Sequence, residues 1–377
     1  MFTLFVFLVV LSLLVFVHEF GHFYVAKKFG LTPKEFGFGF PPRALGIYKN
    51  KEGKWKIVRG KKEVTDNSDT VYSINWIPLG GFVNIGEDEN DSENPNHFIN
   101  QKPWKRASIL SAGVAMNVVL AAILISIGLM IGFPQAIDGD LSSKAKVSDQ
   151  KVQILEILDD GPAQKAGMEQ GDVVLSIEGE QVTNREDLMR MNKSGLDKEI
   201  KYQIKRKDEI KEIIITPEIM EEIGEAGIGV AVANTGTVKY PWYLAIWEGV
   251  KLTFILLWLI IVAFYELFKG LLFGHGLSAE LGGPVYIAKV VGDSARMGLV
   301  YLIQLTALLS INLAVINFLP FPALDGGRVL FVAIEKIKGK PVRREFENAM
   351  HYIGFILLMV LILVVTFRDV LKIWNGS

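Results

Sequence analysis

Apolar residues run almost unbroken from Phe2 to Ala26, and similar runs recur at 107–133 (ASILSAGVAMNVVLAAILISIGLMIGF), 298–319 (GLVYLIQLTALLSINLAVINFL) and 352–367 (YIGFILLMVLILVVTF). About 20 apolar helical residues match the ~30 Å hydrocarbon core of a bilayer, so the pattern predicts four transmembrane helices, the last one short and completed by snorkelling flanks. A further run, LTFILLWLIIVAFY, lies within 242–273 and is flanked by Glu248, Lys251, Glu266 and Lys269. A run of that length is expected to be interfacial or re-entrant rather than spanning.

Between the first two spans the pattern shifts towards strand-like pieces bounded by Gly and Pro: FGFGFPPRALGIY, KWKIVRG and TVYSINWIPLGGFVNIG. This stretch, 27–106, is rich in Lys and Arg, as is KIKGKPVRR at 336–344. The positive-inside rule places both on the cytosolic side. That holds if the N-terminus is outside and the helices alternate, which leaves 140–235 extracytoplasmic. The segment DDGPAQKAGMEQGDVVLSIEGEQVTNREDLMRM lies there. It reads as a strand, Gly161-Pro162, a short helix over Ala163–Ala166, a Gly-Asp turn, a strand over Val173–Ile177, a Glu-Gly turn and a helix over Arg185–Met191. The pattern resembles a PDZ domain, which binds a peptide as an added strand. An unrelated small β-sandwich is the other reading. GIGVAVA at 227–233 is expected to supply the strand beside the groove.

The expected fold class is therefore a multi-pass α+β membrane protein. Its parts are transmembrane helix 1 (1–26), a cytosolic, membrane-associated β-loop region (27–106), transmembrane helix 2 (107–134), the PDZ domain (140–235), a connector with an interfacial or re-entrant helix (236–297), transmembrane helix 3 with the segment after it (298–337), and transmembrane helix 4 with the C-terminus (338–377).

Composition adds three constraints. Half of the 377 residues are hydrophobic, which fits membrane spans with soluble parts. A net charge of −1 gives no reason to expect a nucleic-acid partner. The absence of cysteine excludes disulfides and leaves His and carboxylates as metal ligands. A cleaved signal peptide is disfavoured, because no Lys or Arg precedes Lys27 and the apolar run ends in His18-Glu19-Phe20-Gly21-His22.

Those five residues carry the chemistry. On a helix His18 and His22 share one face with a rise of about 6 Å, which suits two imidazoles on one zinc ion. Glu19 projects beside them, placed to take a proton from an attacking water. Such groups in lipid cost several kcal/mol unless paired or coordinated, which argues against an incidental occurrence. A catalytic zinc site needs a third protein ligand. His97 lies in an acidic loop, His275 in a Gly-rich turn and His351 at the start of the last helix. The better candidate is Asp325 in NFLPFPALDGGRVLF, where Pro320 and Pro322 break the third helix and Gly326-Gly327 allow a tight turn. Asp325 could instead cap a helix over 326–337, and the two roles can coexist. Depth favours the pairing: His18 lies about 24 Å along the first helix, and Pro320 about 33 Å along the third if both enter from outside.

HEFGH, NFLPFPALDGG and the PDZ-like segment together resemble the bacterial site-2 protease family, of the regulator of sigma-E protease type, over nearly the whole chain. The resemblance implies a zinc intramembrane endopeptidase of the bacterial inner membrane, with Zn2+ held by His18, His22 and Asp325 and Glu19 as catalytic base. It implies substrate-binding roles for Asn312 and Asn317, to which Asn117 of the second helix is added. GFGF and IPLGGFV resemble the family's membrane-associated β-loop, whose edge strand is expected to pair with an unwound substrate. The expected partners are single-span membrane proteins such as anti-sigma factors, or remnant signal peptides, with a peptide stub at the PDZ domain. Two features depart from the family. Ala112-Gly113-Val114 lacks the usual proline, and there is one PDZ domain where two are found in the best-known member. The alternative functions are a non-catalytic membrane scaffold with a structural zinc, which would not need Glu19, and a zinc transporter, which would need a longer polar path.

Overall fold

A computed structural model describes the chain except residues 63, 65, 66, 87–96, 138–140, 143, 159, 207, 208, 221–224, 274–281, 341 and 375–377. His275 lies outside the described residues. The chain divides into two units, Met1–Ser126 with Ile246–Ser377, and Ile127–Ala245.

The first unit begins with α1 (Phe2–Lys28), which is apolar around most of its circumference. Strands β1 (Glu35–Lys49), β2 (Trp55–Arg59) and β3 (Val71–Asn84) follow, and then α2 (Pro103–Ile131), which runs into the second unit. The sheet order is β2-β1-β3. The start of β1 pairs with both halves of β3, Phe36 with Tyr72 and also with Val83, so the last residues of β3 form an outer edge. This edge lies directly on α1, with Gly80 against Val15 and Gly81 against Phe16 and Glu19. A Cβ at Gly81 would stand 2.9 Å from the Phe16 Cα. Ser12 secures the contact by donating to the Pro78 carbonyl (3.0 Å) and accepting from the Gly80 N–H (3.2 Å). Trp55, Ile57, Ile74 and Trp76 of the sheet are exposed, as suits a sheet in contact with lipid.

The second unit contains β4 (Phe133–Ala136), β5 (Lys146–Ile157), α3 (Pro162–Lys165), β6 (Val173–Ile177), β7 (Glu180–Gln181), α4 (Arg185–Ser194), β8 (Ile200–Arg206), β9 (Glu209–Ile215), β10 (Glu218–Met220), β11 (Glu225–Gly227) and β12 (Val230–Lys239). Its main sheet runs β4-β12-β5-β6-β8-β9 around a core that includes Ile154, Leu188, Tyr202, Ile204 and Ile228. The predicted strand over Val173–Ile177 and helix from Arg185 are present, with Asn184 capping the helix by accepting from the Asp187 N–H. Asp172 is buried and held by Arg206 (2.8 Å). Burial acts to raise the Asp172 carboxyl, but Arg206 outweighs it and keeps the group below the usual carboxylate range. β12 pairs with β5 along its length but with β4 only over 235–238, so its first residues keep an open edge. A cavity of about 480 Å3 lies there, lined by Leu188, Met189 and Asn192 of α4 and by 228–232.

The chain continues with α5 (Trp242–Phe273), α6 (Pro284–Met297), α7 (Leu299–Phe318), α8 (Asp325–Lys338) and α9 (Arg344–Trp374). Among the described residues five helices, α1, α2, α5, α7 and α9, are long and apolar enough to cross a membrane, where four were expected. The difference is α5. Its charged flanks do not end the helix, because Lys251 pairs with Glu248 (3.7 Å) and Lys269 with Glu266 (3.2 Å) one turn apart on its own surface. Alongside α1, α6 brings Gly292 and Arg296 to Thr3, near the start of that helix. α7 therefore begins at the same end and packs Leu302, Leu305, Leu309 and Leu313 along the Val6–Leu14 stretch of α1. Because α1 and α7 run in the same direction, their C-terminal ends converge.

Candidate metal centre

Three ligand atoms meet at that convergence. Asp325 Oδ2 is 2.9 Å from His18 Nε2 and 3.2 Å from His22 Nε2, and the two imidazole nitrogens are 3.2 Å apart. Among the described residues no other three His, Cys, Asp or Glu groups converge in this way. Both histidines are buried, as the apolar length of α1 requires.

Helix α1 sets the histidine pair, while the turn after α7 sets the carboxylate. Pro320 and Pro322 end α7, and Ala323 takes a left-handed φ of 77°. An L-residue in that conformation costs roughly 1–2 kcal/mol. A Cβ at Gly326 would strike the Phe318 and Leu319 carbonyls, and one at Gly327 the Phe321 carbonyl. The glycine pair therefore lets α8 start directly on the turn. Asp325 is the first residue of α8 and Leu324 is its N-cap, so the carboxylate is not spent on capping and reaches the imidazoles. At the other end of α8, Glu335 receives Arg106 of α2 (2.8 Å) in a largely buried pair.

The distances fit zinc. Bonds of 2.0–2.1 Å in a tetrahedron give ligand edges of roughly 3.3 Å, close to the three separations here. Helix α2 leaves room for such a site, because a Cβ at Gly113 would strike His22 Nε2 and lie 2.8 Å from His18 Nε2. The neighbouring contact is equally close, with Gly21 of HEFGH lying on Ala112. α2 is continuous through Gly113, so the missing proline alters no kink that the ligands require.

The remaining ring nitrogens are also held. His22 Nδ1 donates to the Ile109 carbonyl (2.8 Å), which leaves the Nε2 lone pair open to a metal. His18 Nδ1 is 3.2 Å from the amide nitrogen of Asn117, whose Oδ1 is buried without a partner among the described residues. Turning that amide over exchanges N and O in place, satisfies Oδ1 with Nδ1–H and frees His18 Nε2 for a metal. Asn117, grouped with the substrate-binding residues in the sequence, is thus fully buried against His18. Asn312 directs its amide to the Leu308 carbonyl (3.0 Å) of its own helix, and Asn317 is half-buried near the end of α7. His97 caps a short turn by accepting from the Ile99 N–H and is not one of the converging groups.

A cavity of about 360 Å3 opens on the cluster and is lined by Glu19, His22, Asp325 and Arg328 and by Phe82, Val83 and Asn84 of the β3 edge. The Val83 N–H faces the Glu19 carboxylate. The site thus combines three metal-type ligands, a further carboxylate and a strand edge. The sequence did not single out Gly113, Gly21 or Ser12. Their signal is small side chains within otherwise large apolar runs.

Comparison with known proteins places this arrangement in context. The family model described as Peptidase family M50 matches residues 6–59 and 61–361. A relative from Brucella suis is 31% identical over 97% of this chain and 94% of its own length. The protein named zinc metalloprotease RasP of Geobacillus kaustophilus is 29% identical, over 97% of each chain. The regulator of sigma-W protease RasP of Bacillus subtilis is 28% identical, over 99% of each chain. Among solved structures, the PDZ domain of the SdrC-like protein from Listeria monocytogenes is 23% identical and covers 23% of this chain and 92% of that one, with a TM-score of 0.21.

Proposed function

The chain belongs to peptidase family M50, the site-2 proteases, and is a metalloprotease; from that premise we propose that it uses zinc to hydrolyse peptide bonds in or near the transmembrane segments of membrane-anchored substrates. The observation that carries this reading is the meeting of Asp325 with His18 and His22 beside Glu19.

His18, His22 and Asp325 would hold the ion. When bound there, zinc polarises the scissile carbonyl and makes water more acidic. Glu19 acts as the base: it takes the proton of the water that attacks the carbonyl carbon and returns it to the leaving amine as the C–N bond breaks. Gly113 and Asn117 keep the imidazoles in place, and Asn312 and Asn317 bind the substrate backbone.

A substrate helix hides its amides in its own hydrogen bonds and must unwind to be cut. The outer edge of β3 over 82–84 receives the unwound segment as an added strand beside Glu19. The second unit acts as a PDZ-like module whose groove between α4 and the open part of β12 takes an extracytoplasmic peptide stub. Its place outside, with the metal centre near the cytosolic face of a bacterial inner membrane, follows from the positive charge of 27–106 and 336–344. Suitable substrates are single-span proteins such as anti-sigma factors, in regulated intramembrane proteolysis, and remnant signal peptides.

The test is purified protein incubated with a synthetic transmembrane peptide, with and without a zinc chelator, beside Glu19→Gln. Cleavage that stops with chelator, returns with zinc and is lost in a Glu19→Gln protein that still binds zinc is expected. Cleavage by Glu19→Gln at the wild-type rate would refute the assignment.

A further inference from the structure

We propose that His351, on the last helix, is a positioning residue that fixes the Asp325 loop in its metal-binding shape. The inference rests on the metal-centre reading above and extends it to a helix that supplies no ligand. His351 lies 26 residues beyond Asp325 and, by sequence, has no metal-site company. In the fold, its Nδ1 accepts the Ala323 N–H at 2.9 Å. Ala323 is the residue whose backbone takes the left-handed conformation two positions before Asp325. One turn along α9, Gly354 packs directly on the Pro322 carbonyl, where a Cβ would collide. The two contacts come from one face of α9 and grip adjacent residues of the same loop.

The physical reason is the loop's own preference. An alanine in the left-handed region lies above its extended or right-handed alternatives, so an isolated loop would relax. Relaxation at Ala323 would swing Asp325 away from the imidazoles, because only Leu324 lies between. An amide that donates to a fixed acceptor on another helix resists that change, since relaxation would break a bond made at a partly buried position. The acceptor must be a neutral imidazole with its proton on Nε2. That ring is held in turn against Phe331 of α8, with centroids 5.6 Å apart. The loop, the helix it opens and the last helix thus form one clamp around the carboxylate.

The experiment compares full-length wild type, His351→Leu and His351→Asn, with Asp325→Ala as reference. Each protein is stripped of metal and titrated with zinc against a competing chelator, and then assayed on a synthetic transmembrane peptide. Asn places an oxygen acceptor near the Nδ1 position, whereas Leu fills similar space without one. His351→Leu is expected to bind zinc about tenfold more weakly, with cleavage falling alongside, as for other groups that support metal ligands. His351→Asn is expected to stay within about twofold of wild type. If His351→Leu matches wild type while Asp325→Ala loses zinc, the clamp is wrong and the metal centre stands. Equal weakening of His351→Leu and His351→Asn would also overturn it, because the acceptor would then not matter. If Asp325→Ala keeps wild-type zinc affinity, the metal-centre reading fails and this proposal with it. Should His351→Leu not fold, hydrogen exchange in the wild type decides: the Ala323 amide is expected to be protected, and exchange at the rate of a free loop amide overturns the proposal.

Discussion

Asp325 Oδ2 stands 2.9 Å from His18 Nε2 although 307 residues separate the two in the chain. The contact exists because α1 and α7 run side by side in one direction and a glycine-rich turn then sends α8 back onto the cluster. Each of those features can be perturbed separately.

Asp325→Asn keeps the shape of the side chain but removes its charge. The expected result is loss of high-affinity zinc binding, with cleavage falling at least a hundredfold, because a neutral amide is a poor zinc ligand. Metal content of the purified protein and peptide hydrolysis check this together.

Gly113→Ala adds one methyl group where the imidazoles already touch the backbone. α2 or the histidine pair must shift, so zinc binding is expected to weaken at least tenfold while the protein stays folded. Gly128→Ala is no control for this, since Phe133 crowds that position too, with a ring carbon 2.7 Å from the added Cβ. Gly60→Pro is avoided for its φ of 63°. A surface change such as Lys165→Ala on α3 serves as the neutral reference. Equal zinc affinity in Gly113→Ala and that reference would contradict the close packing described.

Asn117→Leu removes the partner of His18 Nδ1 from a fully buried position. Zinc affinity is expected to drop about tenfold, as for other partners of metal-bound histidine. Asn117→Asp, which retains an acceptor, is expected to keep most of it. Competition titration distinguishes the two, and equal affinity in all three proteins would show that the amide does not orient the ring.

Val83→Pro removes an N–H that faces Glu19 rather than β1. Proline is tolerated at such an outward edge position, so the fold and zinc binding are expected to survive. Cleavage of a transmembrane peptide is expected to fall about tenfold, since Glu19 and any pairing strand both lose this donor. Unchanged cleavage would exclude this edge as the docking strand.

Arg206→Met leaves the buried Asp172 without its cation. Loss of one partner of a buried pair costs about 3–5 kcal/mol, which is expected to lower the unfolding temperature of the second unit in the full chain. The pH dependence follows from the depressed carboxyl of Asp172. Its contribution is complete above the unfolded value of about 3.9 and is lost as pH falls through the lower folded value. The gap between wild type and Arg206→Met is therefore expected to narrow below about pH 4, and a gap that widens there would reverse the assignment.

Much of this protein is determined by local pattern. Apolar length marked α1, α2, α7 and α9, the Gly-Asp and Glu-Gly turns on either side marked Val173–Ile177, and the four-residue spacing of His18 and His22 put both imidazoles on one helix face. Those features depend on near neighbours, and near neighbours are what a sequence displays. The expectation that Asp325 completes the cluster drew on motif and depth together, because no local rule reaches across 307 residues. Tertiary structure decided the rest. α5 continues through its charges because they pair along its own surface, and Gly113 matters because another helix lies against it. His351 gains its role only when α9 comes to rest on the Ala323 turn, since a hydrogen bond between distant segments has no signature in either one alone.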